Sequence, residues 1–235
     1  LTVAASLVDS DGHALHHTSL TLAVFPAPDE SWVSPALAGN NPRALSFLDS
    51  LDLGGSTGKD EDVILITDVS HYLAAKEEID RRVRNGAAAV FLSLPEGSHT
   101  IGDSSIAVHA AGMGSRHFVS CASGHPLADG FLPQDFKFWF DERSGHASPI
   151  LHTVLDGEGW TPILLSGDGG WSRPWGPVAA AAERREGRGV WRVCQVDLLD
   201  RVRTNPVARL FARRLLLPAG HPSLRERAQE LPNPK

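Results

Sequence analysis

The chain has two cysteines, Cys121 and Cys194, and a single methionine, Met113, in 235 residues. Two cysteines cannot define a disulfide framework, so the redox compartment is left open. Each lies in or beside an apolar run, Val119-Ser120-Cys121 and Val193-Cys194-Gln195-Val196, where a free cysteine serves as a small buried hydrophobe. No apolar run approaches the roughly 20 residues of a membrane-spanning helix, and no basic-then-apolar segment opens the chain, so no membrane partner is expected. Lys and Arg are scattered rather than striped and the net charge is −6, which disfavours nucleic-acid binding. With its sole Met far from the start and Leu1 inside a strand-like run, the chain is expected to be a piece of a longer protein. The cellular compartment is not read from it.

What is present is ordinary globular material, 42% hydrophobic and 21% charged, enough to bury a sizeable core. Residues 2–8 (TVAASLV) and 18–25 (TSLTLAVF) are β-branched-rich and flank Asp9-Ser10-Asp11-Gly12, a turn signal, so together they predict a hairpin. Two strands bury too little to stand alone. They are expected either to dock on the next domain or to be the last strands of a β-sandwich lying upstream. His13, His16 and His17 raise a metal site, but strand alternation splits them between faces with no cysteine or second histidine cluster nearby, so no metal is expected. Phe25 to Glu30 reads as a linker.

After the linker the pattern alternates. Asn41-Pro42 opens a helix carrying Ala44, Leu45, Leu48 and Leu51 and stopped at Gly54-Gly55. Val63 to Ile66 and Ala87 to Leu94 are continuous apolar runs, the signature of parallel strands covered on both faces, with a charged amphipathic helix over 73–85 between them. Weaker strands follow at Ile106 to His109 and at His117 to Cys121. Further on, Val178 to Arg184 and Gly189 to Val196 predict a hairpin around Gly187-Arg188-Gly189, and Asn205-Pro206 opens a last helix. The proline-rich stretch from Pro218 is expected to be a mobile tail.

Phosphate-binding motifs fail on detail. Gly54-Gly55-Ser56-Thr57-Gly58-Lys59 has Leu53 where the first Gly of a P-loop belongs, Asp60 in place of the Mg-binding hydroxyl, and a strand where a helix should open. Gly112-Met113-Gly114 lacks the third Gly of a dinucleotide fingerprint. No cofactor is expected. Asp135 and Asp197 read as turn or capping residues, and a (β/α)₈ barrel of about 250 residues cannot fit.

The last third is rich in tryptophan. Trp139 and Trp160, with Phe136 and Trp191, read as core. Trp171 and Trp175 stand apart, in a Gly/Pro-rich loop from Ser166 to Pro177 with Asp168 before and Arg173 between them. Exposed indoles beside polar groups suit pyranose rings, while Trp and Arg are also the favoured anchors of protein interfaces. The interface reading is preferred, with sugar binding the alternative.

His125-Pro126-Leu127 followed by Asp135-Phe136 and Trp139, the strand Ile163 to Ser166, the Gly187-Arg188-Gly189 turn into Gln195-Val196-Asp197-Leu198, and Asn205-Pro206 form an ordered set. It resembles the C-terminal amidotransferase-like domain appended to some glycoside hydrolases of family 2, the family of β-galactosidases, β-mannosidases and β-glucuronidases. The resemblance spans roughly residues 30 to 217. It implies a doubly wound, flavodoxin-like α/β sheet with helices on both faces over residues 29–217, the end of a β-sandwich over residues 1–28, and the tail over residues 218–235. It implies a non-catalytic accessory region of a larger β-glycosidase, with upstream domains of the same polypeptide as partners, carbohydrate or a second copy as further ones, and no catalytic residues of its own. The nucleophile elbow of active amidotransferases should follow the Ala87 to Leu94 strand, and Leu94-Pro95-Glu96-Gly97 offers none. Cys121 follows a strand, but Gly124-His125-Pro126 opens no helix to activate a thiol, leaving a cryptic thiol enzyme the weakest reading.

Overall fold

The computed structural model describes residues 1–21, 34–54, 62–112, 114, 116, 119–170 and 173–221. The chain divides into two compact units, Leu1–Glu30 and Ser31–Lys235. In the first, β1 (Thr2–Val8) and β2 (Ala14–Thr21) pair antiparallel, with Val3 opposite Leu20 and Leu7 opposite His16. Asp9 builds the turn: its carboxylate accepts from the N–H groups of Asp11 and His13, at 2.9 and 2.8 Å, while Gly12 supplies the positive φ of +87°. Pairing puts Val3, Leu7 and Leu20 on one face and Thr2, Ser6 and Ser19 on the other. The first face also carries Ala5, His16 and Thr18, so its apolar side chains are interspersed with polar ones. His13 falls in the turn rather than on the strand.

The second unit opens with β3 (Ala36–Leu37), α1 (Pro42–Ser50), β4 (Val63–Ile66), α2 (Val69–Ala74), α3 (Lys76–Arg84) and β5 (Ala88–Leu92). Asn41 caps α1, its side chain accepting from Arg43 N, and Pro42 takes the first helical position. Where the sequence predicts one helix over 73–85, there are two, separated at Ala75. Then come β6 (Gly97–Ile101), β7 (Ser104–Ala110), β8 (Val119–Ser120), β9 (Phe138–Asp141), β10 (His146–Pro149), β11 (Thr153–Asp156), β12 (Thr161–Gly170), β13 (Arg173–Glu186), β14 (Gly189–Cys194) and α4 (Pro206–Leu215). Short 3₁₀ turns cover Pro126–Ala128 and Pro133–Phe136.

Ten of these strands form one mixed sheet, ordered β3-β4-β5-β14-β13-β11-β7-β6, with β12 on β13 and β8 on β12. The pairings among β3, β4, β5 and β14 are parallel; every other pairing is antiparallel. The 14-residue β13 joins the two halves. Ala181 lies between Leu164 and Cys194, and Ala179 between Leu165 and Leu155, so β12 follows one edge while β14 and β11 share the other.

A doubly wound, flavodoxin-like sheet is not what forms. Strand takes 42% of the described residues and helix 22%, and the sheet is a curled mixed one. The continuous apolar runs do produce parallel neighbours, Val63 to Ile66 beside Ala88 to Leu92, buried throughout. Beyond them the chain returns by turns, as at Ile101–Ser104 and Glu186–Gly189, instead of by helices, so the pairing becomes antiparallel. The amidotransferase-like part of the resemblance falls with it.

Tyr72, Ile79 and Val83 pack with Ile64, Phe91, Trp191 and Val193 in one core cluster that runs on to Ile106, Leu155 and Trp160. On the other side, Phe131, Phe136 and Phe211 meet edge to face at 5.1 to 6.0 Å, with Trp139 beside Phe136. This is what the His-Pro-Leu, Asp-Phe and Trp motifs build: Trp139 Nε1 donates to Asp135 O at 2.7 Å, and Asp135 accepts from Leu132 N at 2.8 Å. Trp160 and Trp191 are core as read. The Gly187-Arg188-Gly189 turn packs its backbone on the end of α3, with Arg188 N donating to Arg84 O at 3.1 Å.

Candidate functional site

The stretch read as a loop, Ser166 to Pro177, is the distal part of the β12–β13 hairpin, paired as far as Gly170 opposite Arg173. Gly and Pro usually weaken strands, which is why the stretch reads as a loop. Here the glycines make room for Trp175. A Cβ on Gly169 would stand 2.7 Å from Trp175 Cα and 2.8 Å from its Cγ, one on Gly114 would overlap the indole, and one on Gly167 would touch it at 3.8 Å. The ring therefore lies on a floor of three glycines. It is nonetheless 63% exposed, the only tryptophan among the exposed large hydrophobic residues described.

Asp168 lies between Gly167 and Gly169, so alternation turns it to the opposite face from the indole. It is buried, and Oδ2 stands 3.5 Å from Nε2 of the half-exposed His109 on β7. The structure thus separates two residues that the sequence groups, Trp175 and Asp168. Arg173 opens β13, with only its backbone described, and Trp171 lies outside the described residues. His109 was not read as a site residue, and nothing in its local sequence, Ala107-Val108-His109-Ala110, marks it as one.

A second feature was also missed. A cavity of about 660 Å³ is lined by Thr161, Glu183, Arg185, Val190 and Arg192, together with His125, Pro126, Gly159, Arg184 and Gly220. Cross-strand pairing of Thr161 with Glu183 and of Glu183 with Arg192 puts these side chains on one sheet face. Arg192 is 1% exposed; its Nε donates to Glu183 Oε2 at 2.8 Å, and its Nη1 donates to the Leu215 and Leu217 carbonyls that end α4. Leu127 N donates to His125 Nδ1 at 3.2 Å, so Nε2 carries the proton and faces Glu183 Oε1 at 3.7 Å. Burial works to raise the Glu183 pKa, but His125 and Arg192 outweigh it and hold the carboxyl down at about 2. The signal available in the sequence is Glu183-Arg184-Arg185-Glu186, four charges in a row that begin inside the predicted strand Val178 to Arg184 and run past its end.

The other candidates have structural roles or no partner for chemistry. Cys194 is buried; Cys121 is half-buried instead of fully so, its Sγ donating to Phe131 O at 3.1 Å, with burial raising its thiol pKa. Asp197 accepts from Arg201 Nε at 3.1 Å. Ser93, one residue before the turn searched for a nucleophile, ends β5 at φ +96°. The buried Gln195 side chain clamps the next residue, accepting from Leu94 N at 3.2 Å and donating to Leu94 O at 3.1 Å. Among the described residues Ser93 Oγ has no hydrogen-bond partner. Asp9, Asp11 and His13 bring ligand atoms within 4.8 Å of one another, but the Asp9 carboxylate already serves the turn. The glycines and lysine at 55–59 and the chain from 222 onward, most of the expected tail, lie outside the described residues.

No family model matches the chain, and no curated protein matches it. Among solved structures it is similar to a β-galactosidase from Rahnella sp. R3, at TM-score 0.42 and 14% identity over 71% of this chain and 25% of that one. It is similar to a cytoplasmic protein from Salmonella typhimurium, at TM-score 0.44 and 12% identity over 91% of this chain and 94% of that one. A third is the exo-β-1,4-mannosidase Op5Man5 from Opitutaceae bacterium strain TAV5, at TM-score 0.43 and 10% identity over 80% and 36%. Two of the three are named as β-glycosidases, and this chain spans about a quarter and about a third of their lengths. Likeness at this level assigns no family.

Proposed function

We propose that this chain is a non-catalytic accessory region of a larger protein acting on β-glycosides, and that the Trp175 ledge is its contact with the rest of that protein or with a second copy. The observation that carries this reading is the indole itself, open to solvent yet seated where a Cβ on Gly169 or Gly114 would collide with it. Large apolar rings held rigidly in the open are typical anchors of interfaces. The hairpin supports it, because two strands need a further surface to cover Val3, Leu7 and Leu20. So does the engagement of Glu183, Arg192, Asp197 and Cys121 in structural bonds. The β-glycosidase part rests on the ordered motifs alone.

A second reading, carbohydrate stacking on Trp175, is favoured by the same open ring. It is weakened by Asp168, which faces away and leaves the indole without that polar neighbour. The two readings separate on the purified chain. It should turn over no chromogenic β-galactoside or β-mannoside, and neither it nor Trp175→Ala should be retained by immobilised β-linked polysaccharide. Retention lost in Trp175→Ala would establish the sugar platform instead. Turnover abolished by substituting an acid within 135–197 would remove the non-catalytic reading altogether.

A further inference from the structure

The cavity over β12, β13 and β14 has an unbalanced charge. Three arginines and one histidine line it, against one carboxylate. Glu183 is committed to Arg192, so this pair is neutral, leaving Arg184 and Arg185 uncompensated by any acid of the lining. Arg184 is anchored, its Nη1 donating to Glu158 O at 3.2 Å and its guanidinium lying against Gly159. Arg185 has no hydrogen-bond or ion-pair partner among the described residues. Its charge bears on Arg192, so the two cations share the cavity.

The buried guanidinium adds a second observation. Arg192 spends Nε on Glu183 and Nη1 on two carbonyls, and its Nη2 has no partner among the described residues although the side chain is 1% exposed and lines the cavity. An arginine buried in the lining, fixed by its other two nitrogens, is a preorganised donor. The volume, about 660 Å³, is within the range of small-molecule sites and much larger than a bare ion needs. Thr161 adds an exposed hydroxyl at the edge.

We propose that this cavity is a binding site for a small, sugar-sized molecule bearing a carboxylate or phosphate group, the oxyanion received by Arg192 Nη2 and Arg185 with Arg184 at the rim. The site is separate from the Trp175 ledge and does not depend on it. The Glu183 carboxylate holds Arg192 in place, and its own charge is cancelled by doing so.

The test is calorimetric titration of the chain at low ionic strength with three probes, inorganic phosphate, glucuronate and glucose, repeated with potassium chloride at matched ionic strength. Saturable binding of phosphate, of glucuronate or of both, absent for glucose, is expected, and which anion binds identifies the source of the charge. Arg185→Ala, at an exposed and unpaired position, should fold normally and bind at least about 10-fold more weakly, with Arg185→Lys in between. Trp175→Ala should bind as the parent does. No saturation by either anion up to about 10 mM, a range covering affinities far weaker than most specific ligands, would overturn the proposal. Unchanged affinity in Arg185→Ala would overturn it equally.

Discussion

Glu183 sits between the Arg192 guanidinium and the N–H of the His125 imidazole, largely buried, and its chemistry yields the clearest pH dependence. Its folded pKa, about 2, lies below the ordinary 4.5, so the stability it contributes is fully present above pH 4.5 and is lost as pH falls from there toward 2. Glu183→Gln leaves the Arg192 guanidinium buried without its counter-charge, which should cost about 3–5 kcal/mol at pH 7. Denaturant melts of both forms at pH 7 and pH 3 check this: the gap should narrow at the lower pH, and a constant gap would place the stabilisation elsewhere. The cysteines give a second test. Burial pushes the Cys194 thiol up to about 12 and raises that of the half-buried Cys121. In the native chain a thiol reagent should label Cys121 more slowly than in the unfolded chain, and Cys194 only on unfolding. Of the Glu183, His125 and Arg192 cluster, the Glu183–Arg192 pair follows from the predicted hairpin, whereas His125 comes from a 3₁₀ turn far back along the chain and no local pattern joins it to them.

Elements were legible where one physical cause dominates. Val63-Ile64-Leu65-Ile66 reads as a covered strand because it is buried on both faces, and Asn41-Pro42 reads as a helix start because its side chain caps and its ring fits the first position. The β12–β13 hairpin defeated the same reasoning. Its glycines signal a loop by local propensity, but they pair with β13 and leave the room that the indole occupies. Gly169→Val should therefore dislodge Trp175 and cost about 1–3 kcal/mol, while Trp175→Ala, removing an exposed ring, should stay within ~0.5 kcal/mol in thermal melts. The Gly187-Arg188-Gly189 turn is a backbone-to-backbone contact. A Cβ at Gly187 would lie 2.6 Å from Arg84 O, at φ +59°, so Gly187→Ala should cost about 2 kcal/mol or more by denaturant unfolding.

At the scale of the whole molecule, resemblance of motifs suggested a sheet wound with helices on both faces, and a curled mixed sheet with a long antiparallel arm formed instead. The motifs were real, but they mark an aromatic cluster, a turn on α3 and a helix start, none of which dictates the strand order. The proposed contact surface is the Trp175 ledge, where a large ring stands 63% exposed. The most direct test is exchange of the non-proline backbone amides from Gly167 to Gly176, compared between this chain alone and the longer polypeptide proposed to carry it. If the ledge is a contact surface, these amides exchange more slowly in the longer protein or in its oligomer, and Trp175→Ala restores the faster rate. Equal rates in both, with Trp175 still open to solvent, would contradict it.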